Sequence, residues 1–165
     1  MSFDKCKEEP PIDSAKPERV EVWFPIEKDA EGFPKTRDWE GLWSTPVNEG
    51  FIVESVPFYL KNVSKGDLIA AEDRDFLQFT GVLAHKGHNT YRLLMLEAPE
   101  NKVDEVVSEL EALGLTTELN ETGILLAVDV PPSVNQQQVD VYLLAGKEAG
   151  RWSIQDGYLN NIDIT

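Results

Sequence analysis

Between residues 19 and 87 the chain shows no helical period, and turn signals interrupt it at roughly ten-residue spacing, which confines this half to short strands. Val20, Val22 and Phe24 alternate with Glu21 and Trp23 until Pro25 stops the run, the period of a half-buried strand. Glu27 to Arg37, with Gly32 and Pro34, reads as a loop. Leu42 and Trp43 lead into a turn around Asn48, Glu49 and Gly50, and Phe51 and Val53 return from it. Lys65-Gly66-Asp67 and Arg74-Asp75 mark further turns around a strand at Leu68 to Ala71, and Phe76 to Leu83 is a last strand interrupted by Gly81. About five short strands of this kind close most economically into a small barrel or strongly curved antiparallel sheet.

The pattern changes after Gly87. Tyr91 to Leu96 is an apolar run suited to a buried strand. Val103, Val106, Val107, Leu110 and Leu113 then recur at helical spacing, and Gly114 stands where a C-terminal cap belongs. Leu115 to Leu119 and Ile124 to Val130 read as strands. Ser133 with Gln136 forms a capping-box pattern opening a second helix, whose stripe is Val139, Tyr142, Leu143 and Gly146. Trp152, Ile154 and Tyr158 read as a closing strand. The order strand, helix, strand, strand, helix, strand predicts a ferredoxin-like βαββαβ unit. The fold class expected is therefore α+β: a disordered tail over residues 1–18, a β-rich subdomain over 19–87 and a ferredoxin-like subdomain over 88–165.

Charge narrows the choice of partner. Of 165 residues, 30 are acidic and 15 basic, a net charge of −15 that opposes binding to nucleic acid or to an anionic membrane. Residues 99–165 alone contribute −9 of it, from twelve acidic and three basic side chains. On the first helix Asp104, Glu105, Glu109 and Glu111 fall opposite the apolar stripe, either as an ordinary solvated face or as a field that steers a basic protein. Trp39, among Arg37, Asp38 and Glu40 in or beside the longest loop, is a candidate interface anchor. Single Cys6 excludes an internal disulfide framework. The first eleven residues do not read as a signal peptide, and no apolar run approaches the ~20 residues of a membrane span, so a cytoplasmic protein is expected.

Chemistry is harder to find. His85 and His88 lie three residues apart, but no spaced Cys/His set completes a zinc site, and Gly87 favours a turn in which both rings bond backbone. His88, Thr90 and Arg92 alternate along an extended segment and could line an anion or carboxylate site; the alternative is that Arg92 pairs with an acidic residue. Asp67, after Gly66, is read as fixing its turn through local amides. Cys6 as a nucleophile lacks a fixed base beside it. No phosphate loop, Gly-x-Ser-x-Gly elbow or HExxH is present, so we expect no enzymatic activity, no cofactor and no metal.

Several motifs fall in one order: Phe24-Pro25, Gly41-Leu42-Trp43, Val56-Pro57-Phe58-Tyr59, Gly66-Asp67, Gly87-His88 with Thr90 and Arg92, Val128 to Pro131, Gly150-Arg151-Trp152 and Gly157-Tyr158-Leu159. The series resembles a family of small bacterial proteins known as a domain of unknown function and usually written around a Glu-Ser-Leu-Trp motif. The likeness runs from about Val20 to Leu159, with Glu40-Gly41 in place of Glu-Ser and Ser55 in place of Asn. Some members look like immunity proteins of polymorphic toxins. That resemblance implies a binding protein neutralising a basic toxin domain encoded nearby. The competing expectation is a small-molecule sensor that takes an anionic metabolite at His88, Thr90 and Arg92. A homodimer through an exposed sheet face suits either.

Overall fold

In a computed structural model the described residues are 18–32, 34–35, 37–96 and 100–160. Cys6 and, except for Glu18, the tail expected over 1–18 lie outside them. Strands β1 (Val20–Pro25), β2 (Trp39–Pro46), β3 (Phe51–Val53), β4 (Leu68–Arg74) and β5 (Phe76–Ala84) form a closed barrel. Neighbours run antiparallel from β1 to β5, and a parallel contact of β1 with β5, Trp23 opposite Gln78, closes the ring. Register shifts at Leu68/Ile69 and Ala70/Ala71 give β4 and β5 the extra twist that closure of so small a barrel demands. Asp75 takes a φ of 71° in the tight link between them, a conformation that aspartate tolerates better than most residues.

The barrel core is apolar: Val22, Phe24, Leu42, Val53 and Ile69 are each at most 1% exposed. Leu60 and Val63, from the long β3–β4 connection, join the same cluster, so that connection plugs the barrel. Trp39, expected in or beside a loop, opens β2 where the loop ends. Its ring meets Phe76 edge to face at 5.5 Å on the outer wall.

Strands β6 (Asn89–Met95), β7 (Thr116–Leu119), β8 (Leu125–Val130) and β9 (Trp152–Asp156) form a second, wholly antiparallel sheet in the order β7-β8-β6-β9. Helices α1 (Glu100–Ala112) and α2 (Gln136–Glu148) bury Val103, Val106, Leu110, Val139 and Leu143 against Leu93, Leu126, Val128 and Trp152 on one face of it. Burial of each such side chain contributes about 1.5–3 kcal/mol. Gly146 sits inside α2 because Trp152 lies against it: a Cβ there would stand 2.0 Å from the indole.

Local signals misplace two ends. Asn135, not Ser133, caps α2, its Oδ1 accepting from the amides of Gln137 and Gln138, since the chain after Pro131-Pro132 makes one turn before the helix begins. The closing strand stops at Asp156. Tyr158 lies beyond it, its carbonyl still accepting from the Thr90 amide at 3.0 Å and its ring stacking on His85 with centroids 3.9 Å apart.

Candidate functional site

The two apolar clusters do not merge. Between them lies a polar seam, where the sheet face turned away from the helices meets the barrel and its plug. Alternation in β6 and β8 sends Leu93 and Val128 to the helices and Thr90, Arg92 and Asp129 to the barrel, with these three at most 1% exposed. The sheet face turned from the helices is covered by the barrel over Thr90, Ala127 and Asp129.

Directional bonds fill the seam. Ser64 and Thr90 share a hydroxyl–hydroxyl bond of 2.6 Å. Arg92 donates from Nη1 to the Leu60 carbonyl at 2.8 Å and from Nε to Gln155 Oε1 at 3.3 Å. The Val56 amide donates to Glu118 at 3.1 Å. Burial holds the Glu118 carboxyl above its ordinary value, against the pull of that amide, Lys65 and Arg19.

His85 and His88, expected to bond backbone, bond carboxylates. His85 Nδ1 lies 2.8 Å from Asp67 Oδ2, and His88 Nδ1 lies 2.9 Å from Asp129 Oδ1. Each carboxylate accepts, which assigns the Nδ1 proton to the imidazole. Asp67 is fully buried and also accepts from the amides of Ser64 (2.9 Å) and Lys86 (3.0 Å), the turn-fixing role its sequence context suggested. Burial raises the Asp129 carboxyl and Asp67 adds to this, while His88 and Lys65 oppose it. Gly66 and Gly87, both at positive φ, admit this packing: a Cβ on Gly66 would fall 2.7 Å from His88 Nε2. Among the described residues no group of three or more His, Cys, Asp or Glu side chains is placed to hold a metal ion. Each His–Asp pair lies within one half, His85 with Asp67 at the barrel's edge and His88 with Asp129 on the sheet, and fixes the chain where the two halves meet.

Glu40 escaped the sequence reading. It is 7% exposed and accepts from the amides of Phe58 (2.7 Å) and Tyr59 (2.9 Å), tying β2 to the plug. Burial pushes its carboxyl up, while those amides, Arg92 and Arg37 pull it down. Burial likewise lowers the Arg92 guanidinium, offset by Glu40, Asp156 and Tyr59. The signal was available: Leu42 points inward, so a period of two places Glu40 on the same side of β2.

The expected interface residues divide. Asp104, Glu105 and Glu111 are exposed on α1 and have no ion-pair partner among the described residues. Glu109 is held by the Tyr142 hydroxyl and by Arg151 at 3.3 Å. Burial and that contact together push the Tyr142 phenol far up. Trp39, on the barrel wall, belongs to the layer beyond the sheet from α1. His88, Thr90 and Arg92 do share the seam, but the ring and the hydroxyl already have protein partners. Only Arg92 has donors left over.

Fold and seam together define a class: an α+β protein in which a plugged barrel is fastened by a polar layer to an antiparallel sheet carrying two helices. The model of a family described as Domain of unknown function (DUF4265) matches residues 40–154, and the chain belongs to that family. A solved structure described as a "Novel crystal structure of a hypothetical protein from Neisseria gonorrhoeae" is similar to it, with a TM-score of 0.70 and 18% identity. The likeness covers 87% of this chain and 96% of that one, and at this identity it concerns the fold alone. No curated protein matches the chain. No helix among the described residues is long and apolar enough to cross a membrane.

Proposed function

We propose that this is a non-enzymatic cytoplasmic binding protein, an immunity protein that neutralises a basic toxin domain by covering its substrate-binding surface. The observation that carries the reading is the exposed side of α1, where Asp104, Glu105 and Glu111 stand without ion-pair partners among the described residues. A face on which Asp104, Glu105 and Glu111 outnumber the exposed Lys102 accelerates encounter with a basic partner and loses that advantage as salt rises. Beside it α2 leaves Val141 64% and Leu144 51% exposed, which supplies the apolar contact that sets a complex's lifetime. The order β6-α1-β7-β8-α2-β9 with strands arranged β7-β8-β6-β9 supports reading this half as a ferredoxin-like unit that presents its helical layer to the partner. Trp39, on the barrel side, is reserved for a partner large enough to reach round the sheet.

The test is co-expression with the product of the adjacent gene. The wild type should restore growth and co-purify with that product. The triple variant D104K/E105K/E111K should keep its stability and associate more slowly, with a weaker salt dependence. Absence of both rescue and a complex would sink the reading.

A further inference from the structure

The barrel does not cover the whole of the sheet face it meets. Beyond Arg92 an open groove of two lobes runs along the uncovered part. One lobe, about 240 Å³, lies over Arg92, Leu94, Leu125, Ser153 and Gln155. The other, about 280 Å³, shares Leu125 and Gln155 and continues past Phe58, Tyr59 and Lys61 to Glu27 and Asp29.

Arg92 is the unusual part of this wall. It is 1% exposed and forms no ion pair among the described residues, and its Nη2 donates to no acceptor among them. A buried guanidinium normally has its donors filled, because each one left without an acceptor costs free energy. Gln155 accepts from Arg92 Nε through Oε1, which leaves its amide hydrogens to the groove. Ser153, opposite Leu94 in the register, adds a hydroxyl. In a chain with 30 acidic residues, the lobe beside Arg92 has no carboxylate in its wall. A surface rich in donors, with an apolar floor of Leu94 and Leu125, suits a ligand that accepts hydrogen bonds and carries negative charge at one end only. The far lobe reinforces the asymmetry: its one cation, Lys61, faces Glu27 and Asp29 in the same wall, so that end offers no net positive charge to a second carboxylate.

The geometry points to a binding site for a small monocarboxylic acid, its carboxylate held by Arg92, Gln155 and Ser153 and its apolar body lying along Leu125 toward Phe58 and Tyr59. Planar carboxylates match a guanidinium well, and the shared Leu125–Gln155 waist bends such a ligand from one lobe into the other. The site lies on the barrel side of the sheet, away from α1, so it stands or falls separately from the docking of a partner.

Titration with 3-phenylpropionate, followed in amide proton–nitrogen spectra of the intact protein, tests this. Saturable shifts are expected at Leu94, Leu125, Ser153 and Gln155, with none from 3-phenylpropanol. Arg92 is too buried for its replacement to be read cleanly, so the decisive variants are Gln155→Glu and Ser153→Asp at exposed positions. Each should keep the native spectrum and weaken binding at least about tenfold, the loss expected of one charge-assisted bond. No saturable shift, equal shifts from the alcohol, or unchanged binding in both variants would overturn the proposal.

Discussion

Replacing Glu40 with leucine removes the acceptor of two backbone amides, those of Phe58 and Tyr59, at a position 7% exposed. A buried N–H left without a partner costs about 1–3 kcal/mol, and the leucine side chain recovers part of that through its own burial. Arg92 also loses the facing charge that offsets its burial. A net destabilisation of about 2–4 kcal/mol follows, which for a chain of this size lowers Tm by about 5–15 °C. Glu40→Gln is the finer probe, because it keeps the shape and removes the titration. Burial raises the Glu40 carboxyl above its ordinary value of 4.5, so the folded protein holds that proton more tightly than the unfolded chain. Glu40 therefore contributes stability below the unfolded value that is lost as pH rises through the folded one. Urea unfolding of the two proteins across this range should show the wild type gaining on E40Q in acid and giving ground toward neutrality. If the gap instead widened as pH rose, the two amides and Arg92 would outweigh burial, and Glu40 would sit in the seam as a stabilised anion rather than a carboxyl held up by its surroundings.

Three further perturbations follow. Gly146→Ala drives a methyl into the Trp152 ring and should cost about 1–3 kcal/mol as an overpacked core, seen as a lower urea midpoint with the native fluorescence of Trp152 disturbed. Asp67→Ala strips acceptors from Ser64, Lys86 and His85 together and should cost about 3–5 kcal/mol in the same assay; an effect below about 1 kcal/mol would mean water replaces the carboxylate. Burial, with Asp140 and Asp156, pushes the Tyr91 phenol up to about 12. Alkaline absorbance titration should show this late ionisation, and Asp140→Asn should bring it earlier; an unmoved value would mean that Asp140 does not act on the phenol.

How much of this was legible depended on range. The period of two in Val20 to Phe24 and the 3–4 spacing from Val103 to Leu110 are local, and both identified their elements. Gly66, Gly87 and Gly150 marked turns because each needs a positive φ. The capping pattern at Ser133 failed because Asn135, two residues on, competes for the same amides and the double proline delays the helix. The seam was invisible for a different reason. Arg92 and Asp129 each interrupt an apolar run and Glu40 stands two residues before Leu42, and sequence shows these positions without showing what meets them. Ser64 meets Thr90 across 26 residues, and Val56 meets Glu118 across 62. Such pairings exist only once barrel and sheet have been laid together.

That laying together has a consequence for shape. Two greasy surfaces pressed against one another hold, yet they tolerate rotation, since apolar contact has no preferred direction. In this protein cohesion and aim are separated: each half keeps its own oily interior, and the joint between them is a keyed coupling of hydroxyls, a guanidinium on a carbonyl, and an amide on a carboxylate. The angle between barrel and sheet is thus written into a handful of polar atoms. A change at Ser64, Thr90 or Glu118 would turn one half against the other while both stay folded, and with them would turn every surface that the two halves present together.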